Sequence, residues 1–357
     1  MGRFLSQNFA ALSPYIPGEQ PKGEQRFIKL NTNESPFAPS DAVVEAARTE
    51  AGKLNLYSDP DCTLLKKEIA AVYGVQPENV LPVNGSDEIL YFAFMALCDD
   101  KHPMAFPDIS YGFYPIYAKV NRIPAHVIPL KDDFSIDYRD YCGLNENIVI
   151  ANPNAPTGLS LSLSEIEEIL KTNPNNVVII DEAYVDFGGE SCVPLIQKYD
   201  NLLVTQTFSK SRSLAGSRLG MGIGSAELIA DLNTIKNSVN PYNVNRMTQA
   251  AGIAALQTND YYMKNCQVIM ENREYTYQAL GELGFFVLPS KSNFLFAKKD
   301  GFTGEELTRR LKEKNILVRY LPTPRTLDFV RISIGSREDM EVFVKAMADI
   351  VNAKEEN

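Results

Sequence analysis

Between about residues 79 and 225, short and almost wholly apolar runs alternate with stretches of helical periodicity. The runs are NVLPV, PMAF, HVIPL, NIVIAN, NVVIID, LLVTQT and GMGIG. Between them lie SDEILYFAFMAL, YGFYPIYAKV and LSEIEEIL, the last with Ser164 and Glu167 at capping-box spacing. A strand apolar on both faces must be covered on both faces. Alternating helices supply that cover. The pattern therefore predicts an α/β fold with a mostly parallel sheet flanked by helices.

The C-terminal third has a different grammar. One long helical segment, roughly Asn245 to Leu283, leads into FFVLP and NFLFAK, the helix GEELTRRLKEK, the strands ILVRYL and FVRISIG, and a last helix from Glu338. That order describes a smaller α+β domain. At 357 residues the chain is long for a single core. We expect a large domain over 36–249, with an N-terminal arm (1–35) and a small domain (250–357).

Charge and cysteine usage narrow the function classes. The net charge of −10 argues against a nucleic-acid partner, and any anionic ligand must be gripped by local arginines against the overall field. Cys62, Cys98, Cys142, Cys192 and Cys266 are scattered and form no CxxC pair, which suits reduced cytosolic thiols rather than disulfides or zinc. His102 and His126 are the only histidines; both read as structural, and no metal is expected. No apolar run approaches the ~18 residues of a membrane span. MGRFLSQNFA lacks the apolar core of a secretion signal, so a cytoplasmic protein is expected.

Parallel α/β sheets bind ligands at the carboxyl ends of their strands. After VLPV comes NGSDEIL, where Ser86 or Asp87 could cap a helix whose first turn offers an anion site, or simply start a helix. After NVVII comes Asp181, with Tyr184 three residues on. A carboxylate there needs a partner: a cationic ligand atom, a salt bridge or a helix N-terminus. After LLVTQTF come Ser209 and Lys210, followed eight residues later by Arg218. Lys210 is either a solvated edge residue or an amine whose pKa is lowered by burial and a nearby cation. Tyr111, after PMAFP, either packs in the core or offers its face to a ring. One ligand would use all of these groups: an aromatic aldehyde with a phosphate and a basic ring nitrogen, which is pyridoxal phosphate.

The ordered segments SPYIPGEQP, KLNTNESP, LYSDPDCTLLKKEIA, VNGSDE, PDISYGFY, NPNAPTG, IIDEAYVDF, TFSK…LAGSRLG, NPYNVN, ILVRY and VRISIG span nearly the whole chain. In them the chain resembles fold-type I pyridoxal-phosphate-dependent aminotransferases, and most closely the histidinol-phosphate aminotransferase family. The resemblance implies that Lys210 carries the cofactor and then shuttles the proton, that Asp181 bonds the ring nitrogen, and that Tyr184 bonds the ring hydroxyl. Tyr111 would stack on the ring, with Ser86, Asp87, Ser209 and Arg218 around the phosphate. Tyr57 would reach the cofactor phosphate of a neighbouring subunit, implying a homodimer with shared active sites. Tyr15, Arg319 and Arg331 would face the substrate's phosphate or carboxylate.

The implied reaction moves an amino group from L-histidinol phosphate to 2-oxoglutarate in histidine biosynthesis. An aromatic amino acid aminotransferase or a decarboxylase of a phosphorylated amino acid would use the same cofactor residues. A non-catalytic binding protein on this fold predicts decay of the set, yet Lys210, Asp181, Tyr184 and Arg218 are all present. The chain departs from the family in two places. Ala155 stands where the family commonly has the asparagine that bonds the ring hydroxyl, leaving Asn154 or Tyr184 to serve. Arg212 stands near Lys210, where it would either lower the lysine's pKa or face solvent.

Overall fold

The apolar runs of the first 225 residues all become strands of one sheet. The computed structural model describes residues 3–9, 12–21 and 26–355. In chain order its first elements are strand β1 (Ile28–Leu30), helices α1 (Asp41–Ala51) and α2 (Thr63–Tyr73), strand β2 (Val80–Val83) and helix α3 (Ser86–Leu97). Strand β3 (Met104–Pro107), helix α4 (Tyr114–Asn121), strands β4 (Ala125–Ile128) and β5 (Asn147–Ala151), and helix α5 (Leu163–Thr172) follow. Then come strands β6 (Val178–Asp181), β7 (Leu202–Thr207) and β8 (Gly220–Gly224) and helices α6 (Ala226–Val239), α7 (Arg246–Gln257) and α8 (Asn259–Glu282). The chain ends with strands β9 (Phe286–Val287) and β10 (Phe294–Lys298), helix α9 (Gly304–Glu313), strands β11 (Ile316–Tyr320) and β12 (Phe329–Ser333), and helix α10 (Arg337–Glu355).

The seven-stranded sheet runs β2-β8-β7-β6-β5-β3-β4, and β8 alone is antiparallel to its neighbours. The connection explains the exception. Residues 208–219, between β7 and β8, hold only one short turn of 3-10 helix, and a parallel return needs a longer crossover. Strand alternation sorts the core onto two faces. Val149, Ile179 and Leu203 pack with Ile89, Phe92 and Leu232 on one side. Ile148, Ile180 and Val204 pack with Leu65, Ile69, Ile166 and Ile169 on the other. The carboxyl ends of β2, β3, β5, β6 and β7 thus share one edge of the sheet, where the β7–β8 loop also lies.

A second sheet, β1-β11-β12-β10-β9, packs on α8, α9 and α10. Its edge strand β1 comes from the segment read as an arm, and pairs parallel to β11. Three local readings change. The helical segment expected from Asn245 to Leu283 is two helices that break at Thr258, whose hydroxyl bonds Ala254 O (2.8 Å) and pairs with Ser40 Oγ (3.1 Å). Ala251, Ala254 and Ala255 of α7 and Tyr262 of α8 pack in the large-sheet core, which therefore continues past residue 249. The capping box of α5 is made by Ser162 and Glu165, not Ser164 and Glu167. Glu167 instead bonds Lys198 and the Tyr199 hydroxyl.

Candidate active site

Asp181 closes β6 with a side chain that is 4% exposed. Its carboxylate accepts hydrogen bonds from the Tyr114 hydroxyl (3.0 Å) and Thr205 Oγ1 (3.2 Å), both neutral donors. Burial pushes its pKa up to about 6; the two hydroxyls oppose the shift and Asp87 adds to it. Sequence reasoning missed Tyr114 and Thr205. Thr205 lies directly opposite Asp181 in the parallel ladder. The signal for it was the period-two hydroxyl row Thr205, Thr207, Ser209, which a strand places on one face.

Lys210 sits in the β7–β8 loop, with Nζ donating to Thr32 O (3.1 Å) and lying 5.8 Å from the Tyr184 ring centre. Burial lowers its pKa to about 8, helped by Arg331 and Arg218 and opposed by Glu34 and Asp87. Lys210 is therefore a usable amine nucleophile near neutral pH. The Tyr184 hydroxyl accepts from Asn33 Nδ2 (3.0 Å), a partner contributed from far away in the sequence.

The other end of the cavity is built around the N-terminus of α3. Gly85 is the N-cap, at φ +80°, so neither Ser86 nor Asp87 caps the helix as expected. The Asp87 carboxylate instead accepts from the hydroxyls of Tyr111 (2.5 Å) and Tyr117 (3.3 Å) and from Arg218 Nη2 (3.1 Å). Arg218 Nη1 reaches Ser209 Oγ (3.3 Å). A Cβ on Gly220 would lie 2.4 Å from Ser86 N, so β8 runs close against this helix start. Ser86, Asp87, Tyr111, Asp181, Tyr184, Ser209, Lys210 and Arg218 all line one cavity.

An adjoining cavity shares Thr32, Tyr111, Ala155, Tyr184 and Lys210 with the first and adds Tyr15, Arg319 and Arg331. The two arginines face each other across β11 and β12. Arg319 Nη2 donates to Ile16 O (2.7 Å) and Arg331 Nη2 to Asn31 O (3.2 Å). Arg331 Nε is buried with no hydrogen-bond partner among the described residues. Tyr15 packs its ring on Phe113 at 4.4 Å.

The aminotransferase class I and II family matches residues 25–347. Histidinol-phosphate aminotransferase of Brachyspira hyodysenteriae is 48% identical over 353 residues, covering 98% of this chain and 99% of that one. Its counterpart from Clostridium botulinum is 45% identical and covers 99% of both. The chain belongs to the histidinol-phosphate aminotransferase family. Its fold is also that of the crystal structure of histidinol-phosphate aminotransferase from Sinorhizobium meliloti in complex with pyridoxal-5'-phosphate. The TM-score is 0.86, with 21% identity and 99% of each chain covered.

The residues present fit a phosphorylated pyridine aldehyde, the cofactor expected of this aminotransferase family. Asp181 is a buried carboxyl whose side-chain partners are neutral, which leaves it free to pair with a protonated ring nitrogen. The open first turn of α3, backed by Gly220 and flanked by Arg218, suits a phosphate. Lys210 lines the same cavity.

Two expected residues line neither cavity. Asn154 spends its side chain on Ser110 Oγ (2.7 Å), Ile109 O (3.0 Å) and Thr157 Oγ1 (3.1 Å), and it is Ala155 that faces the cavity. Tyr57 is 79% exposed and stacks on Tyr242 at 4.5 Å. Arg212 takes neither course foreseen for it. It is buried, lines neither cavity, and pairs with Asp186 (3.1 Å).

Proposed function

We propose that this aminotransferase binds pyridoxal phosphate and transfers the amino group of L-histidinol phosphate to 2-oxoglutarate, a step of histidine biosynthesis. The observation that carries this reading is the sharing of Lys210 between two cavities. One has the features of a phosphate-and-pyridine site, and the other holds Arg319 and Arg331. Pyridoxal phosphate supplies an electron sink for charge developing at the substrate α-carbon.

This chain's residues do the rest. Lys210 would hold the cofactor covalently and, as the free amine, would carry the proton between the substrate α-carbon and the cofactor's C4′. Asp181 keeps the ring nitrogen protonated. With Asn154 engaged elsewhere, the ring hydroxyl falls to Tyr184, whose own hydroxyl is oriented by Asn33. Tyr111 covers the ring. Ser86, Asp87, Ser209 and Arg218 surround the phosphate, with Asp87 ordering Tyr111 and Arg218. Arg319 and Arg331, with Tyr15, receive the substrate anion. Guanidinium forks suit phosphate and carboxylate alike, so one pocket serves both half-reactions. The working unit is a cytoplasmic homodimer in which Tyr57 completes the neighbour's phosphate site.

The test is a half-reaction panel. Histidinol phosphate, phenylalanine, tyrosine and threonine phosphate are each mixed with the cofactor-loaded protein, and loss of the visible absorption band is followed while carbon dioxide is assayed. Histidinol phosphate should react fastest, by about tenfold or more, the scale of discrimination that differences in pocket contacts supply. Lys210→Ala should lack the band. Faster conversion by an aromatic amino acid, or carbon dioxide from threonine phosphate, overturns the assignment.

A further inference from the structure

We propose that the pair formed by buried Arg212 and half-buried Asp186 is a clamp that positions the Lys210 loop against the Tyr184 loop from behind the catalytic face. The inference rests on the function proposed above and concerns residues that touch neither cavity. Lys210 and Arg212 are two apart, and so are Tyr184 and Asp186. Each loop thus presents one residue to the cavity and one away from it, and the latter two, Arg212 buried and Asp186 half-buried, are ion-paired at 3.1 Å.

The pairing is part of a longer buried network. Arg212, 2% exposed, also donates to Asn259 Oδ1 (3.1 Å), the Tyr73 hydroxyl (3.3 Å) and Ser211 Oγ (3.2 Å). Its guanidinium lies 5.3 Å from the Phe208 ring centre. The Tyr73 hydroxyl donates to Gln206 Oε1 (2.5 Å), and Gln206 Nε2 donates to Glu182 Oε2 (2.8 Å). Glu182 is held in turn by Ser191 Oγ (2.7 Å) and Cys192 N (2.5 Å). Strand alternation explains the layout. Asp181 and Thr205 face the cavity side, so their neighbours Glu182 and Gln206 face the opposite side.

Arg212 acts by geometry rather than by charge. The charges that act most strongly on Lys210 are those of Arg331, Glu34, Asp87 and Arg218. Burying a guanidinium is costly, and apolar side chains often replace a buried ion pair without loss of stability. What an apolar pair cannot reproduce is a fork that joins Asp186 of one loop to Asn259 of α8 while anchored beside Lys210.

The experiment compares wild type with Arg212→Lys, Asp186→Asn and the double variant Arg212→Met/Asp186→Leu, which leaves no unpaired buried charge. Three readouts are taken: melting temperature without cofactor, acetylation of Lys210 by acetic anhydride against pH by mass spectrometry, and the rate at which added pyridoxal phosphate forms the visible band. In the double variant the melting temperature should stay near wild type. Its Lys210 acetylation midpoint should rise towards that of a solvated lysine, and its band formation should slow by about tenfold or more, as for a misplaced reacting group. Arg212→Lys should fall between. The clamp is overturned if every variant acetylates and captures cofactor like wild type, even where melting temperatures drop. If wild type captures no cofactor while the acetylation profile still moves in the variants, the functional assignment fails and the clamp stands.

Discussion

Lys210 shows how one residue's environment reaches into both chemistry and stability. Its pKa falls from 10.5 to about 8 on folding, chiefly through burial. Between these values the unfolded chain binds more protons than the native one, so this residue makes stability rise with pH there. Below pH 8 its full cost is present. Lys210→Met should therefore raise the melting temperature of the cofactor-free protein at pH 7, and the gain should shrink between about pH 8 and 10.5. Thermal scans across that range check it, and a gain independent of pH would mean that Lys210 is not shifted. Asp181 works in the opposite direction, on the acid side. Its pKa rises from 3.8 to about 6, so the native state holds the extra proton and its contribution to stability is lost as pH climbs through that window.

At the scale of elements, the decisive feature is the short return from β7 to β8. It makes β8 antiparallel and brings Ser209, Lys210 and Arg218 to the edge where the parallel strands end. It also runs Gly220 against the start of α3, where an added Cβ would meet backbone atoms of Gly85 and Ser86 at 2.4 to 2.5 Å. Backbone on both sides has little room to yield. Gly220→Ala should cost about 1–3 kcal/mol by overpacking and weaken pyridoxal phosphate binding by displacing the first turn of α3. Urea unfolding and a cofactor titration measure the two effects. Wild-type cofactor affinity in a destabilised variant would show that this turn does not carry the phosphate.

At the scale of the molecule, the loop bearing Tyr57 is firmly held yet turns its tyrosine outward. Arg246 Nη1 donates to Tyr57 O (2.8 Å), and Ser58 Oγ donates to Val244 O (2.8 Å). A rigid loop with an exposed aromatic tip suits insertion into a second subunit. Mixing Tyr57→Phe and Lys210→Ala subunits tests it. With shared sites, each mixed dimer contains one site with both wild-type residues, and activity should exceed the sum of the two parent homodimers. No excess over that sum would show that each subunit completes its own site.

Much of this protein is legible in its sequence because the relevant signals are local. Runs apolar on both faces determine a covered parallel sheet, and turn chemistry at the strand ends places Asp181, Ser209, Lys210 and Ser86 on one edge. Other features depend on which distant side chains arrive at the same place, and only the tertiary structure decides them. Asn33 reaches Tyr184 across 151 positions, Asn154 is claimed by Ser110 and Ile109, and Arg212 turns inward to Asp186. Periodicity states which face a residue occupies. It does not name the partner, because buried polar groups settle on whichever donors and acceptors the completed packing brings within hydrogen-bonding distance.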